Sequence, residues 1–243
     1  MKRSLKSMGL PIFGLLMLLC IVLAGCSGDK KDESDGKNAS IDDFYYEKNE
    51  SGYTITGVKD NGKITYTIPD SVTAIGDMAF YQCEKLLFIT IPDSVTSIGE
   101  EAFAECRSLN RVMFYGNVKS IGDRAFSYCR NIVNITLPDG LENIGNGAFE
   151  SCRSLTKITM PDGLVSIGDV AFSFCGALES VTIPGSVTKI GECAFEYCHA
   201  LEGVRFENTV GWIANETELE LTNPARNVTY LNGTYCMYDW VRR

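Results

Sequence analysis

The dipeptide Ile-Gly occurs at residues 75–76, 98–99, 121–122, 144–145, 167–168 and 190–191, a step of 23 residues each time with no insertion. Ala-Phe keeps the same step at 79–80, 102–103, 125–126, 148–149, 171–172 and 194–195, and so does cysteine at 83, 106, 129, 152, 175 and 198. A fixed period of this length restricts the chain to a stack of like supersecondary units. Each unit buries its apolar side only against its neighbours.

The unit reads I-G-x-x-A-F-x-x-C-x-x-L-x-x-I-x-I-P-x-x-V. Its L-x-x-I-x-I stretch, Leu86-Ile89-Ile91 in one copy and Leu201-Val204-Phe206 in another, ends in the alternation of a strand. The I-G-x-x-A-F-x-x-C segment has spacings of three and four, which predict a short helix or helical turns. One strand and one helical arm per repeat give an α/β repeat class, a right-handed leucine-rich-repeat solenoid of about six 23-residue coils over residues 69–213. The unit resembles the BspA-like leucine-rich repeats of bacterial surface antigens from about Tyr53 onward. The Asn usual at the bend after the strand is replaced by Pro or Ser, as in that class.

Equivalent residues stack about 4.8 Å apart in such a coil. Phe80, Phe103, Phe126, Phe149, Phe172 and Phe195 then form an aromatic spine, each burying roughly 150–250 Å². Gly76 and its copies permit either positive φ or close coil approach. Pro92, Pro138, Pro161 and Pro184 end their strands. Stacked cysteines point the same way at about 4.8 Å, whereas a disulfide needs convergent Cβ atoms about 3.5–4.5 Å apart. The ladder is therefore read as free, buried thiols. Cys193 and Cys236 lie outside it.

Residues 44–68 are expected to cap the first coil as a hairpin, with Tyr53–Gly57 and Ile64–Ile68 as its strands and Asp60-Asn61-Gly62 as its turn. Val210 and Ile213 keep the repeat register for one more step. Residues 214–243, with Tyr230, Leu231, Tyr235, Tyr238 and Trp240, are expected to close the other end.

Ahead of the repeat, Lys2, Arg3 and Lys6 precede an uncharged, mostly apolar run from Ser7 to Gly25. Its length also suits an anchor helix. However, Leu23-Ala24-Gly25-Cys26 resembles a bacterial lipobox, which implies a signal peptide over 1–25 and lipidation of Cys26. Residues 26–43 are polar and charged, a composition that stays disordered and would serve as a tether. The chain carries a formal charge of −9, which disfavours nucleic acid as a partner. N-x-S/T sequons occur at Asn38, Asn49, Asn134, Asn215, Asn227 and Asn232, and beside a bacterial lipobox they are read as chance.

Outward columns offer the candidate contacts. Arg107, Arg130 and Arg153 recur one coil apart, and stacked like charges call for an acidic partner or for neighbouring Glu and Asp. Phe88, Arg111 and Lys157 belong to a second column. Asp77, Glu100, Asp123, Asp169 and Glu192 form a solvated acidic column. The single histidine, His199, falls in the arginine column, and there is no phosphate-binding glycine loop and no nucleophile with a local base. No catalytic residue, cofactor or metal ligand is assigned. The resemblance implies a surface protein that binds another protein, host matrix included. The alternative is an accessory lipoprotein that scaffolds a complex in its own envelope.

Overall fold

The computed structural model describes residues 40–214 and 216–242. The expected signal peptide, Cys26 and most of the expected tether lie outside them. Residues 40–43 do not belong to the tether. They form a 3-10 turn, Ile41–Asp43, capped by Ser40 Oγ accepting from Asp42 N at 3.1 Å, and Ile41 packs against the core.

Each coil contributes one strand to each of two sheet faces. The first face continues through the strands ending in the repeat isoleucine, from β4 (Val72–Ile75) and β6 (Ser97–Ile98) to β14 (Lys189–Ile190), all parallel, with Ile75 opposite Ile98 and Ile98 opposite Ile121. The second face is made by the L-x-x-I-x-I segments. It runs from β3 (Thr65–Thr67) through β5 (Phe88–Ile91), β7 (Arg111–Phe114), β9 (Asn134–Thr136), β11 (Lys157–Thr159) and β13 (Ser180–Ile183) to β15 (Gly203–Phe206). Seven strands on this face make about seven coils, one more than the sequence count, because Thr65–Thr67 already pairs in register with Phe88–Thr90. The second face is interrupted between β7 and β9, at the coil where Tyr115-Gly116 stands in place of Pro-Asp.

The third side of the coil is not helical. Alternate N–H groups donate to the next coil, and those between them donate three residues back, as Tyr81 N does to Met78 O (3.0 Å), so no run of bonds four residues back forms. Met78 N reaches Glu100 O (2.8 Å), Phe80 N reaches Ala102 O (2.7 Å) and Gln82 N reaches Ala104 O (2.9 Å), and the trio recurs through Phe174 N to Glu196 O (2.8 Å). Two residues per arm in the left-handed region make this possible, such as Met78 at φ 54° and Gln82 at φ 55°. Spacings of three and four mark a helix and a turned arm alike, so the helical expectation fails on backbone hydrogen bonding while the buried positions are right.

The columns expected to be buried are buried. The six phenylalanines are 0% exposed and stack with centroids 4.8–5.3 Å apart and ring planes within 16° of parallel. The ladder cysteines are free and fully buried. Each thiol from Cys106 onward donates to the phenylalanine carbonyl of the preceding coil, at 3.0 Å for Cys106 to Phe80 and 3.2 Å for Cys198 to Phe172. The glycine column is decided in favour of close approach: a Cβ on Gly122 would sit 2.6 Å from the carbonyl carbon of Gly99.

Both ends differ from expectation. The N-terminal hairpin is β1 (Phe44–Asn49) against β2 (Gly52–Val58), with its turn at Asn49, whose Oδ1 accepts from Ser51 N and Gly52 N at 2.9 and 3.0 Å. Asp60-Asn61-Gly62 does turn the chain, with Gly62 N donating to Asp60 Oδ1 at 2.8 Å. It joins strands of two different faces, however: β2 lies parallel beside β4, and Thr65–Thr67 beside β5. A tight hairpin would leave both faces uncapped on that side, so pairing with the solenoid wins over the local turn signal. Phe44 closes the aromatic spine, 6.1 Å from Phe80.

At the other end the register is lost earlier than expected. Val210 is 73% exposed, while Trp212 and Ala214 turn inward on β16 (Trp212–Ala214). That strand pairs antiparallel with β18 (Trp240–Arg242), which pairs antiparallel with the last repeat strand of the first face. Phe206, Trp212 and Trp240 form the closing aromatic cluster, with centroids 5.3–6.4 Å apart. A short helix α1 (Pro224–Thr229) packs on β15.

Candidate interaction surface

The buried cysteine of each coil is flanked by two residues that turn away from it, exposed or half-buried except for Ser151, which is buried. The one before it occupies the left-handed region, at φ 55–60° for Gln82, Glu105, Tyr128, Ser151, Phe174 and Tyr197. The one after it is Glu84, Arg107, Arg130, Arg153, Gly176 or His199. With the cysteine turned inward, the two neighbours can meet above it, and they do so in three coils. Glu105 pairs with Arg107 at 2.8 Å, the Arg130 guanidinium lies over the Tyr128 ring at 5.6 Å, and Tyr197 meets the His199 ring edge at 6.0 Å.

The predicted arginine stripe is thus a real column in three different states. Arg107 is answered by Glu105. Arg130 is half-buried, with its Nε lacking a hydrogen-bond partner. Arg153 is exposed. An exposed pair such as Glu105–Arg107 stabilises a fold by about 0–1 kcal/mol, so that pair adds little to stability.

The sequence reading missed the aromatic continuation of this stripe. Phe174 and Tyr197 stack at 4.5 Å across the coil boundary and remain 42% and 43% exposed. Gly176 leaves the place beside Phe174 empty; a Cβ there would meet nothing within 4 Å. The signal was present as two aromatic residues 23 apart in the position before the cysteine. One corner of the solenoid therefore passes from cationic to aromatic along its axis.

Phe88, Arg111 and Lys157 are the first residues of β5, β7 and β11, on the sheet face beyond that corner. Phe88 is opposite Arg111 and Lys157 is opposite Asn134. Arg111 and Lys157 are exposed, and Phe88 is half-buried. The structure does not bring Arg111 and Lys157 together, because Asn134 separates them.

The acidic column is exposed, as expected, but it is also structural. Asp77 Oδ1 accepts from Glu100 N (2.8 Å), Asp123 Oδ1 from Asn146 N (2.7 Å), Asn146 Oδ1 from Asp169 N (2.8 Å) and Asp169 Oδ1 from Glu192 N (3.0 Å). These bonds satisfy donors that the tight glycine bend leaves open. His199 is exposed in the stripe. Of the sequons, Asn227 is fully buried, with its amide donating to Val204 O at 2.8 Å and Leu221 O at 3.1 Å. Among the described residues, no helix is long and apolar enough to cross a membrane.

The model of the BspA type leucine rich repeat region matches residues 61–152 and 119–230, in six copies. No curated protein matches the chain. Among solved structures, a leucine-rich-repeat protein of T. pallidum is 32% identical over 69% of this chain and 71% of its own, with a TM-score of 0.50. A leucine rich cell surface protein of Faecalibacterium prausnitzii is 29% identical over 71% of this chain and 55% of its own (TM-score 0.55). The pneumococcal vaccine antigen PcpA is 26% identical over 71% of this chain and 50% of its own (TM-score 0.56). The chain thus spans about half the length of the last two.

Proposed function

Because the chain belongs to the BspA-type leucine-rich-repeat family, we propose that it is a non-enzymatic, exported binding module, held at a bacterial membrane through lipid on Cys26, that takes a protein ligand on its outer surface. The observation that carries this reading is the corner stripe. It continues from Arg107, Arg130 and Arg153 to Phe174, Tyr197 and His199 on a rigid backbone, and it keeps two stacked aromatic rings in water. Exposed aromatic and arginine side chains are the residue types that dominate protein interfaces. A rigid array also loses little freedom on binding. The cationic half favours a ligand segment with acidic residues, in contrast to the net charge of this chain. The cell-surface relative supports an outward location.

The test is capture of proteins from host-matrix and from self-envelope extracts by the lipid-free chain. It is repeated with Arg107, Arg130 and Arg153 all changed to Ser, and separately with Phe174 and Tyr197 both changed to Ser. Each change should cut binding at least tenfold. Unchanged binding by both variants rejects the stripe. Protease treatment of intact cells should release the chain, and Cys26→Ser should shed it into the medium. A chain that resists proteolysis on intact cells and is captured only by self-envelope proteins favours the scaffolding alternative.

A further inference from the structure

Cys193 holds the left-handed position of the last regular arm (φ 52°), the place taken by Met78, Glu101, Arg124, Gly147 and Val170 in the coils before it. In those coils the N–H at this place donates to a carbonyl of the following coil. No regular coil follows Cys193, and its N–H donates to the carbonyl of Cys236 in the C-terminal cap. The cap thus presents Cys236 where the next coil would stand. The two sulfurs and the Glu196 carboxylate lie within 4.8 Å of one another, and Cys193 Sγ is 3.3 Å from Met237 Sδ. A backbone hydrogen bond between the two residues and sulfurs within 4.8 Å of each other leave only a side-chain rotation between this arrangement and an S–S bond. The ladder cysteines differ in each respect. They are 0% exposed, stack in parallel and, from Cys106 onward, aim their thiols at phenylalanine carbonyls, whereas Cys193 and Cys236 are 7% and 8% exposed.

We propose that Cys193 and Cys236 form a disulfide that staples the C-terminal cap to the last coil. The reaction is thiol–disulfide exchange with a disulfide oxidant, protein or small molecule. One thiolate attacks the oxidant and forms a mixed disulfide. The other thiolate displaces the oxidant's second sulfur, so the pair loses two protons and two electrons and the oxidant leaves as two thiols. Burial, with Cys236 and Glu196 adjacent, pushes the Cys193 thiol up to about 12, so closure is slow near neutral pH and faster as pH rises. Persistence of the bond rests on the proposed export, since a reducing cytosol would open it. The bond ties positions 43 apart in the chain, across the segment that carries Trp212 and α1.

The full chain is produced in a bacterium, thiols are alkylated in denaturant at harvest, and the unreduced chain is digested with trypsin. The peptide 190–205 should be found linked to 227–242, with the link at Cys193 and not at Cys198. The same link should form when chain purified under reducing conditions is treated with oxidised glutathione. Reduction should lower the unfolding midpoint by roughly 5–15 °C, and a Cys193→Ala/Cys236→Ala variant should show no such response. Absence of the link after glutathione treatment overturns the pairing. So does a pair that becomes reactive only after a chelator is added, which would make the trio a soft-metal site. A link formed with glutathione but absent from the chain harvested from cells upholds the pairing and counts against the export reading alone.

Discussion

The thiol of Cys152 donates to the carbonyl oxygen of Phe126, 3.2 Å away on the preceding coil. Burial holds the thiols of Cys129, Cys152, Cys175 and Cys198 above the ordinary range, Cys198 at about 12. A thiol raised in the fold contributes its full stability below its unfolded pKa and loses it as pH climbs toward the folded one. Beyond about pH 9, unfolding free energy should therefore fall by about 1.4 kcal/mol per pH unit for each such thiol. Urea titrations between about pH 8 and about pH 10 measure this slope, and Cys152→Ala should reduce it by one proton's worth. A slope unchanged by that substitution removes Cys152 from the account.

Gly122 and Gly176 make a paired test of coil spacing. A methyl group on Gly122 would lie 2.6 Å from the backbone of Gly99, and one on Gly176 would meet nothing within 4 Å. Gly122→Ala should cost about 2–3 kcal/mol by forcing two coils apart. Gly176→Ala should stay within about 0.5 kcal/mol of the parent. Equal midpoints in chemical denaturation would contradict the close approach.

Val170 is a β-branched residue at φ 49°, in a column where Gly147 adopts φ 60°. The left-handed conformation costs an L residue about 1–2 kcal/mol, and glycine gives back about 0.5–1 kcal/mol in unfolded-state entropy. Val170→Gly should therefore raise stability by up to about 1 kcal/mol, read from the urea midpoint. A fall in the midpoint would show that the valine packs well enough to offset its strain.

Asn227, fully buried on α1, donates its amide to the carbonyls of Val204 and Leu221. Asn227→Asp replaces that donor with a carboxylate facing two acceptors, an uncompensated buried charge that should cost about 3–5 kcal/mol near neutral pH. The cap should loosen before the repeats unfold, so the fluorescence of Trp212 and Trp240 should shift at lower urea than the far-ultraviolet circular dichroism. Coincident transitions at the parent midpoint would remove Asn227 from the cap's anchoring.

The repeated part of the fold was legible because one residue per column, six times over, reports one environment: the positions of Phe126 and Cys152 follow from their copies. The arm was misread because spacing gives which side chains point inward and is silent about backbone sign, and Met78, Arg124 and Val170 carry no mark of a left-handed residue. The ends were the least legible. Strand β2 finds its partners through contacts made once, and Asn61-Gly62 signalled a hairpin as strongly as Asn49 and Gly52 did. The stripe was half legible. Its arginines drew attention by charge, while Phe174 and Tyr197 resemble core residues until the neighbouring cysteine is known to point inward. Cys193 and Cys236 are not separated by a multiple of the period, so the pattern that placed the other six could not place them.

The hydrogen bonds of the arm join each coil to the next with the same offset throughout. Nothing in an interior coil records how many others lie above or below it. Excising a whole period, for instance residues 123–145, would leave every remaining joint of the same kind and bring both ends one step closer, about 4.8 Å. Removing one residue more or fewer would turn the buried rings toward water. Reach is therefore a property that lineages carrying this architecture can change by recombination without redesigning either terminus, and a length difference between two members says nothing by itself about how they fold.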